Sequence, residues 1–310
     1  MTQVLGIVKE GKLIPEELWL RFINGLENSF DALETNKERA KRELAQALVQ
    51  AVKKRISPKF GILFSGGVDS SLIAFISKQL KCNFTCYTVG LEGSDDIVWA
   101  QKAANEYKLN FKCKLINLNE FEAILKNVIK LLNDSDIVKV SVGSVLYAAG
   151  RLALSDGNTI LFGGLGSEEI FAGYQRHETA LQNTLQKNDL NNFEALHKEC
   201  WNGLRNMWRR DLTRDFTIAK ALGLDLRTPF LDKGLVKLAM KIHPMFKLDK
   251  DNKKIILRET AELIGLKNEF AWRKKQAAQY GSNFVNGIDK LARQNGFKYK
   301  KDYLQNLLLK

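Results

Sequence analysis

Cysteine is scarce in this chain of 310 residues: Cys82, Cys86, Cys113 and Cys200 are all there is, and no two form a Cys-x-x-Cys pair. That argues against a disulfide framework, a zinc cluster and sulfur-relay chemistry. Cys82, Cys86 and Cys113 fall in or beside strand-like runs and are expected to be buried, inert thiols. No run approaches the roughly 18 uninterrupted apolar residues of a bilayer-spanning helix. The first twenty residues lack a basic start followed by an apolar block, so no secretory signal is expected. With 45% hydrophobic and 27% charged residues, the chain reads as a cytoplasmic globular protein without a membrane partner. Acidic residues are short only at one end. Residues 201–310 carry 24 Lys/Arg against 11 Asp/Glu, whereas residues 1–200 balance at 24 each, so the net charge of +13 lies in the last third. Its clusters are Arg209-Arg210, Lys253-Lys254, Arg273-Lys274-Lys275 and Lys298 to Lys301. A one-sided basic surface attracts polyanions, RNA among them, although any anionic ligand would draw on the same cations.

Against these absences stands one dense segment, Phe60-Gly61-Ile62-Leu63-Phe64-Ser65-Gly66-Gly67-Val68-Asp69-Ser70-Ser71. An apolar strand-like run empties into Ser-Gly-Gly, and a helical stretch from Leu72 to Leu80 follows directly. Such a corner aims backbone N–H groups and the positive end of a helix at one spot. Glycines let the main chain approach phosphate oxygens, and consecutive N–H groups form a concave nest. Ser65, Ser70 and Ser71 add hydroxyls, and Asp69 places a carboxylate where a hard cation such as Mg²⁺ would sit. No lysine follows the glycines, which separates the loop from the Gly-x-x-x-x-Gly-Lys-Ser/Thr type. Its Ser-Gly-Gly-x-Asp-Ser form resembles the pyrophosphate loop of the ATP pyrophosphatases.

Around this loop the pattern alternates. Residues 16–56 read mostly as helix, in two stretches, with Leu44, Ala47, Leu48, Ala51 and Val52 on one face and Pro58 as the stop. Strand-like runs at Asn83–Val89, Phe111–Ile116 and Thr159–Phe162 are separated by helical stretches near 95–107, 119–132 and 142–154. The expected fold is α/β, a parallel sheet with helices on both faces, joined to a mainly helical C-terminal part. The division expected is a helical extension over 1–57 and a main domain over 58–310, whose helical cap begins at about 175 and without which the α/β core could fold. Ligands of such sheets bind at the carboxyl ends of the strands, where the Ser65–Asp69 loop falls.

A second corner follows the strand at Thr159–Phe162: Gly163-Gly164-Leu165-Gly166-Ser167-Glu168-Glu169-Ile170-Phe171-Ala172-Gly173-Tyr174. Carboxylates beside an anion site repel phosphate unless a divalent metal lies between them; equally, acids suit any helix N-terminus. Together with Thr88 to Asp96, Arg227-Thr228-Pro229-Phe230-Leu231-Asp232 and Trp272-Arg273-Lys274-Lys275, the two corners resemble the synthetase domain of the asparagine synthetase family. The resemblance spans roughly residues 40–290, in the family's order. The stretches Gly173 to His177 and Lys275 to Ser282 are most similar to its asparagine synthetase domain-containing branch.

The resemblance implies an adenine nucleotide alpha hydrolase-like fold and a two-step synthetase using ATP and Mg²⁺. A carboxylate attacks the α-phosphorus, pyrophosphate leaves, and ammonia then displaces AMP to give an amide. It further implies that Ser65, Gly66, Gly67 and Ser70 cradle pyrophosphate, that Asp69 and Glu168 hold the metal, and that Lys275 neutralises the phosphates. Leu63 and Val89 would line the adenine pocket, with Gly166 and Ser167 against the nucleotide; Glu169 joins Lys275, Asp69 and Glu168 as a candidate catalytic group. Arg227 and Asp232 are read as an arginine–carboxylate bracket at the edge of the site.

Two departures qualify this. Residue 2 is Thr2, where glutamine-dependent members carry a nucleophilic cysteine, and no glutaminase domain precedes the loop in this sequence. Nitrogen is therefore expected as free ammonia, as ammonia from a separate glutaminase subunit, or as another amine. Leu165 stands where the family carries a glutamate, and Gly163 where it carries a serine, so Glu169, His177 or a group on the acceptor would have to replace the lost base. Two alternatives stay open: amidation of a carboxylate carried on tRNA, such as carboxymethyluridine, and a non-catalytic nucleotide-binding scaffold.

Overall fold

The computed structural model describes residues 8–9, 12–29, 32–186, 193–274 and 276–309. They fall into two compact units, neither of which is one continuous run. The first takes residues 1–56, 164–209 and 228–272; the second takes 57–163, 210–227 and 273–310.

Among the described residues the first unit is mainly helical, with a two-residue antiparallel pair, β1 (Val8–Lys9) with β2 (Lys12–Leu13). Its long helices are Glu16–Glu27, Lys37–Lys53, Gln175–Gln186, Glu194–Met207, Lys233–Lys241 and Ile255–Ile264. The two expected N-terminal helical stretches are present, separated where the Asn36 side chain accepts from Arg39 N at 3.0 Å and caps the second. Indole donors fasten the elements: Trp19 Nε1 donates to Leu204 O at 2.9 Å, and Trp208 Nε1 to Ile14 O at 2.9 Å.

The second unit holds a five-stranded, wholly parallel sheet made of β3 (Phe60–Leu63), β4 (Phe84–Gly90), β5 (Phe111–Leu115), β6 (Ile160–Phe162) and β7 (Asp225–Arg227), in the order β5-β4-β3-β6-β7. Chain order reverses beside β3, so the crevice beyond its carboxyl end, next to β6, is the topological switch point. Both faces are covered, because all seven residues of β4 are buried. On one face Phe60 stacks on Phe162 at 4.4 Å and packs against Phe84 at 5.8 Å. On the other, Leu63, Tyr87, Val89, Leu161 and Leu226 join one core with the Leu118–Leu132 and Ile137–Ser155 helices.

That last helix is long and apolar enough to cross a membrane by length and composition. Its faces explain the composition without a bilayer. A Cβ on Gly143 would sit 2.8 Å from Ile218 Cδ1, and one on Gly150 would sit 2.7 Å from Leu224 Cδ1, so this is a core helix packed tightly inside its own unit.

The mainly helical stretch after residue 175 also supplies the fifth strand of the sheet, Asp225–Arg227. The core is therefore assembled from separated pieces of chain, and residues 58–163 alone do not complete it. Nor are all three strand-associated thiols buried. Cys86 is, and burial pushes its pKa far up, but Cys82 is half-buried and Cys113 is exposed on β5, the open edge of the sheet.

Candidate functional site

In the sheet unit, β3 ends in the Ser65-Gly66-Gly67 loop and the Val68–Gln79 helix begins at once. The loop is closed by its own serines. Ser65 N donates to Ser70 Oγ at 3.2 Å, Ser70 Oγ donates to Gly67 O at 3.2 Å, and Gly67 N donates to Ser65 Oγ at 3.3 Å. Gly66 is demanded twice over. Its φ is +71°, and a Cβ there would lie 2.6 Å from the Trp99 carbonyl carbon and 2.7 Å from Ala100 N. No side chain caps the helix at Gly67. An uncapped N-terminus at a switch point, behind a loop of small residues, is the arrangement that receives an anion. Asp69 sits half-buried in the first turn of that helix, which begins at Val68 rather than at the expected Leu72.

A second segment braces this corner. Arg273, nearly buried, donates through Nη1 to Ser65 O and through Nη2 to Asp96 Oδ1 at 2.9 Å, with its guanidinium carbon 5.3 Å from the centre of the Trp99 ring. Gln276 Nε2 donates to Asp95 Oδ2 at 2.8 Å, Ser94 Oγ to Gly281 O at 2.9 Å, and Leu91 N to Ser282 O at 3.0 Å. The run 273–283 is thus laced to the loop after β4 on both sides of Lys275, which itself lies outside the described residues. Thr2 does too.

Leu63 and Val89 are brought to one face of the sheet. Leu63 is in register with Tyr87, two residues before Val89, and the period of two puts all three side chains together near the strands' carboxyl ends. Val89 is 2% exposed and belongs to the core packing; Leu63 is half-buried. Gly163, at the end of β6, lies beside Leu63, whose Cδ1 would be 3.6 Å from a Cβ there.

In the helical unit, Gly166 has φ +98° and opens the short Ser167–Ile170 helix, whose four residues are all buried. Lys254 is completely buried as well. Its Nζ donates to Glu168 Oε1 at 2.5 Å and to Ser167 Oγ at 3.1 Å. Gly173 makes room for the same carboxylate, since a Cβ there would be 1.7 Å from Glu168 Oε2. Composition had grouped Lys254 with a surface cation cluster, and nothing in its sequence context marked it as the partner of an acid. Glu169 is enclosed, with Arg176 Nη2 3.9 Å from its Oε1 and Arg176 Nε on Glu199 at 2.9 Å. His177 is buried, and its Nδ1 accepts from Tyr174 N at 3.1 Å.

The expected bracket is not formed by these ion pairs. Arg227 pairs with Asp225 at 2.7 Å. Asp232 pairs with Arg55 at 3.0 Å and Lys54 at 3.3 Å, and accepts from Gly234 N and Leu235 N at the start of the Lys233–Lys241 helix. Burial opposes ionisation of Asp232, but the Arg55 contact and Lys54 outweigh it and hold its carboxyl below the usual range. Asp232 is thus an architectural cap and counter-ion. The basic clusters are also largely internal business: Arg209 pairs with Glu16, Arg210 with Asp211, Lys253 with Glu178, and Arg273 with Asp96.

Comparison with known proteins gives one family. The family model described as asparagine synthase matches residues 43–302. The Methanocaldococcus jannaschii protein named "Putative asparagine synthetase (glutamine-hydrolyzing) 1" is 33% identical over 302 residues, covering 86% of this chain and 54% of its own length. Asparagine synthetase B (glutamine-hydrolyzing) of Escherichia coli is 29% identical over 273 residues, with 82% and 47% covered. The Bos taurus asparagine synthetase (glutamine-hydrolyzing) is 31% identical over 295 residues, with 91% and 49% covered. This chain spans about half the length of the curated relatives it matches.

Proposed function

The chain belongs to the asparagine synthase family, and on that footing we propose that it is an ATP-dependent, AMP-forming synthetase that turns a carboxylate into an amide with ammonia. The observation that supports this best is the Ser65–Ser70 corner: an uncapped helix N-terminus, a glycine at positive φ with no room for a side chain, and a switch-point location. In the first step a carboxylate oxygen bonds to the α-phosphorus as the bond to the β-phosphate oxygen breaks. In the second, ammonia bonds to the acyl carbon, AMP leaves, and the nitrogen gives up a proton. Charge grows on the departing pyrophosphate, and preorganised donors lower that cost. Ser65, Gly66, Gly67 and Ser70 are the proposed donors, Lys275 the proposed cation, and Leu63, Val89, Gly166 and Ser167 the proposed nucleotide contacts.

Magnesium fits the acids present. Glu168 is a buried carboxylate seated against Gly173 and paired with Lys254, and one or two carboxylates completed by phosphate oxygens is a usual set for this ion. Asp69 and Glu168 would hold it, and when bound it would offset the triphosphate's charge. Glu169 is the proposed further acid–base group. Aspartate is the default substrate. The nitrogen source is proposed to be ammonia, free or passed from a glutaminase.

The test is to incubate the protein with ATP, Mg²⁺ and ammonium plus aspartate or bulk tRNA, and to follow AMP and pyrophosphate. Aspartate-dependent AMP is expected. AMP formed only with tRNA would transfer the reading to an RNA-borne carboxylate, and no AMP in any mixture would leave a nucleotide-binding scaffold. Asp69→Ala should abolish pyrophosphate release; undiminished release would sink the metal assignment.

A further inference from the structure

We propose that Arg273 is the positioning residue of the pyrophosphate loop, pinning the Ser65 carbonyl so that the Gly66 N–H points at the bound phosphate. The inference rests on the loop's proposed role and adds the residue that sets its geometry. In a trans peptide the C=O and the following N–H point in opposite directions. With Ser65 O drawn to Arg273 Nη1, the Gly66 N–H faces away from Arg273, and no described residue accepts a hydrogen bond from it. A cation behind the carbonyl also polarises that peptide and strengthens its N–H as a donor.

The clamp is built rather than incidental. Arg273 forks between Ser65 O and Asp96 Oδ1, and the ring of Trp99 lies against its guanidinium. Asp96 is itself seated: a Cβ on Gly281 would be 2.4 Å from each of its carboxylate oxygens. The Trp99 backbone that limits Gly66 belongs to the same Asp95–Glu106 helix, so Arg273, Asp96 and Gly66 are referred to one rigid element. A lysine could reach one partner but has no planar fork for both.

Arg273→Lys and Asp96→Asn, made in the whole chain, test this by calorimetric titration with Mg·ATP and with AMP, beside thermal melts. The two nucleotides differ in the phosphates the loop would hold. Arg273→Lys should weaken Mg·ATP about tenfold, the effect of one lost charge-assisted contact, and leave AMP within about twofold. Asp96→Asn should shift the same ratio less, by about threefold, and stands in if the lysine variant does not fold. Unchanged ATP preference, or equal loss of both ligands, would overturn the positioning role alone. A wild-type protein binding Mg·ATP no tighter than AMP would instead overturn the loop's proposed role, and this inference with it.

Discussion

Gly66 and Gly166 each sit at positive φ, +71° and +98°, the first just before the Gly67 N-cap of a helix and the second as an N-cap itself, yet different neighbours exclude a side chain from them. A Cβ on Gly66 would strike the main chain of Trp99 and Ala100. On Gly166 it would strike the Leu231 side chain, 2.4 Å from Cδ2. Main chain inside a helix cannot step aside, whereas a leucine can change rotamer. Charge is handled differently as well. The first corner is a nest of neutral donors braced by an Arg–Asp pair, while the second buries acids and neutralises Glu168 with a buried lysine. One corner is rigid through its backbone; the other depends on an ion pair inside the protein.

Breaking that ion pair should have the largest effect. Lys254→Met removes a buried cation from Glu168, which costs about 3–5 kcal/mol by analogy with other broken buried pairs. Denaturant melts should show the loss, and Lys254→Met combined with Glu168→Gln should recover much of it. A double variant no more stable than the single one would mean the pair is not what holds this turn. Next comes Gly66→Ala, for which strain at positive φ and overpacking against backbone together predict roughly 2–4 kcal/mol. Gly166→Ala should cost only about 1–2 kcal/mol, because Leu231 can yield. Equal losses at the two glycines would erase the contrast between the corners.

Acid should separate the regions further. In the helical unit burial, helped by Lys247 and His243, lowers the pKa of His197 to about 4. The unfolded imidazole, near its ordinary 6.5, takes up a proton first, so stability falls as pH drops from 6.5 toward 4 and this contribution is flat above 6.5. His197→Gln should flatten that slope by on the order of 1–2 kcal/mol, allowing for partial exposure of the ring. An unaltered slope in pH-dependent melts would remove His197 as its source. The smallest effect is expected from Leu165→Glu: half-buried Leu165 makes no hydrogen bond to lose, and nucleotide affinity should stay within about twofold.

Much of this was legible in the chain itself. Four of the five sheet strands and the helices between them show in the sequence as strand-like and helical runs, and both glycine corners follow strands as expected. β7 escaped because Asp225-Leu226-Arg227 sets one apolar residue between two charges after a helical stretch, whereas the equally short β6 is wholly apolar. Lys254 escaped because a lysine beside another lysine reads as solvated surface; only the packing reveals it buried against Glu168. Arg273 was visible as part of a motif, but its grip on a backbone carbonyl has no signature in residue type. Asp232 shows the same limit: its partner Arg55, far away in sequence, comes to it only in the fold.

Because β7 lies about sixty residues beyond β6, the order of synthesis matters to the sheet. A ribosome adding about 5–20 residues per second would leave β6 with an unpaired edge for roughly 3–12 s. During that wait the nascent chain offers a bare template to any passing strand, and holding it apart becomes a task for the cell rather than for the sequence.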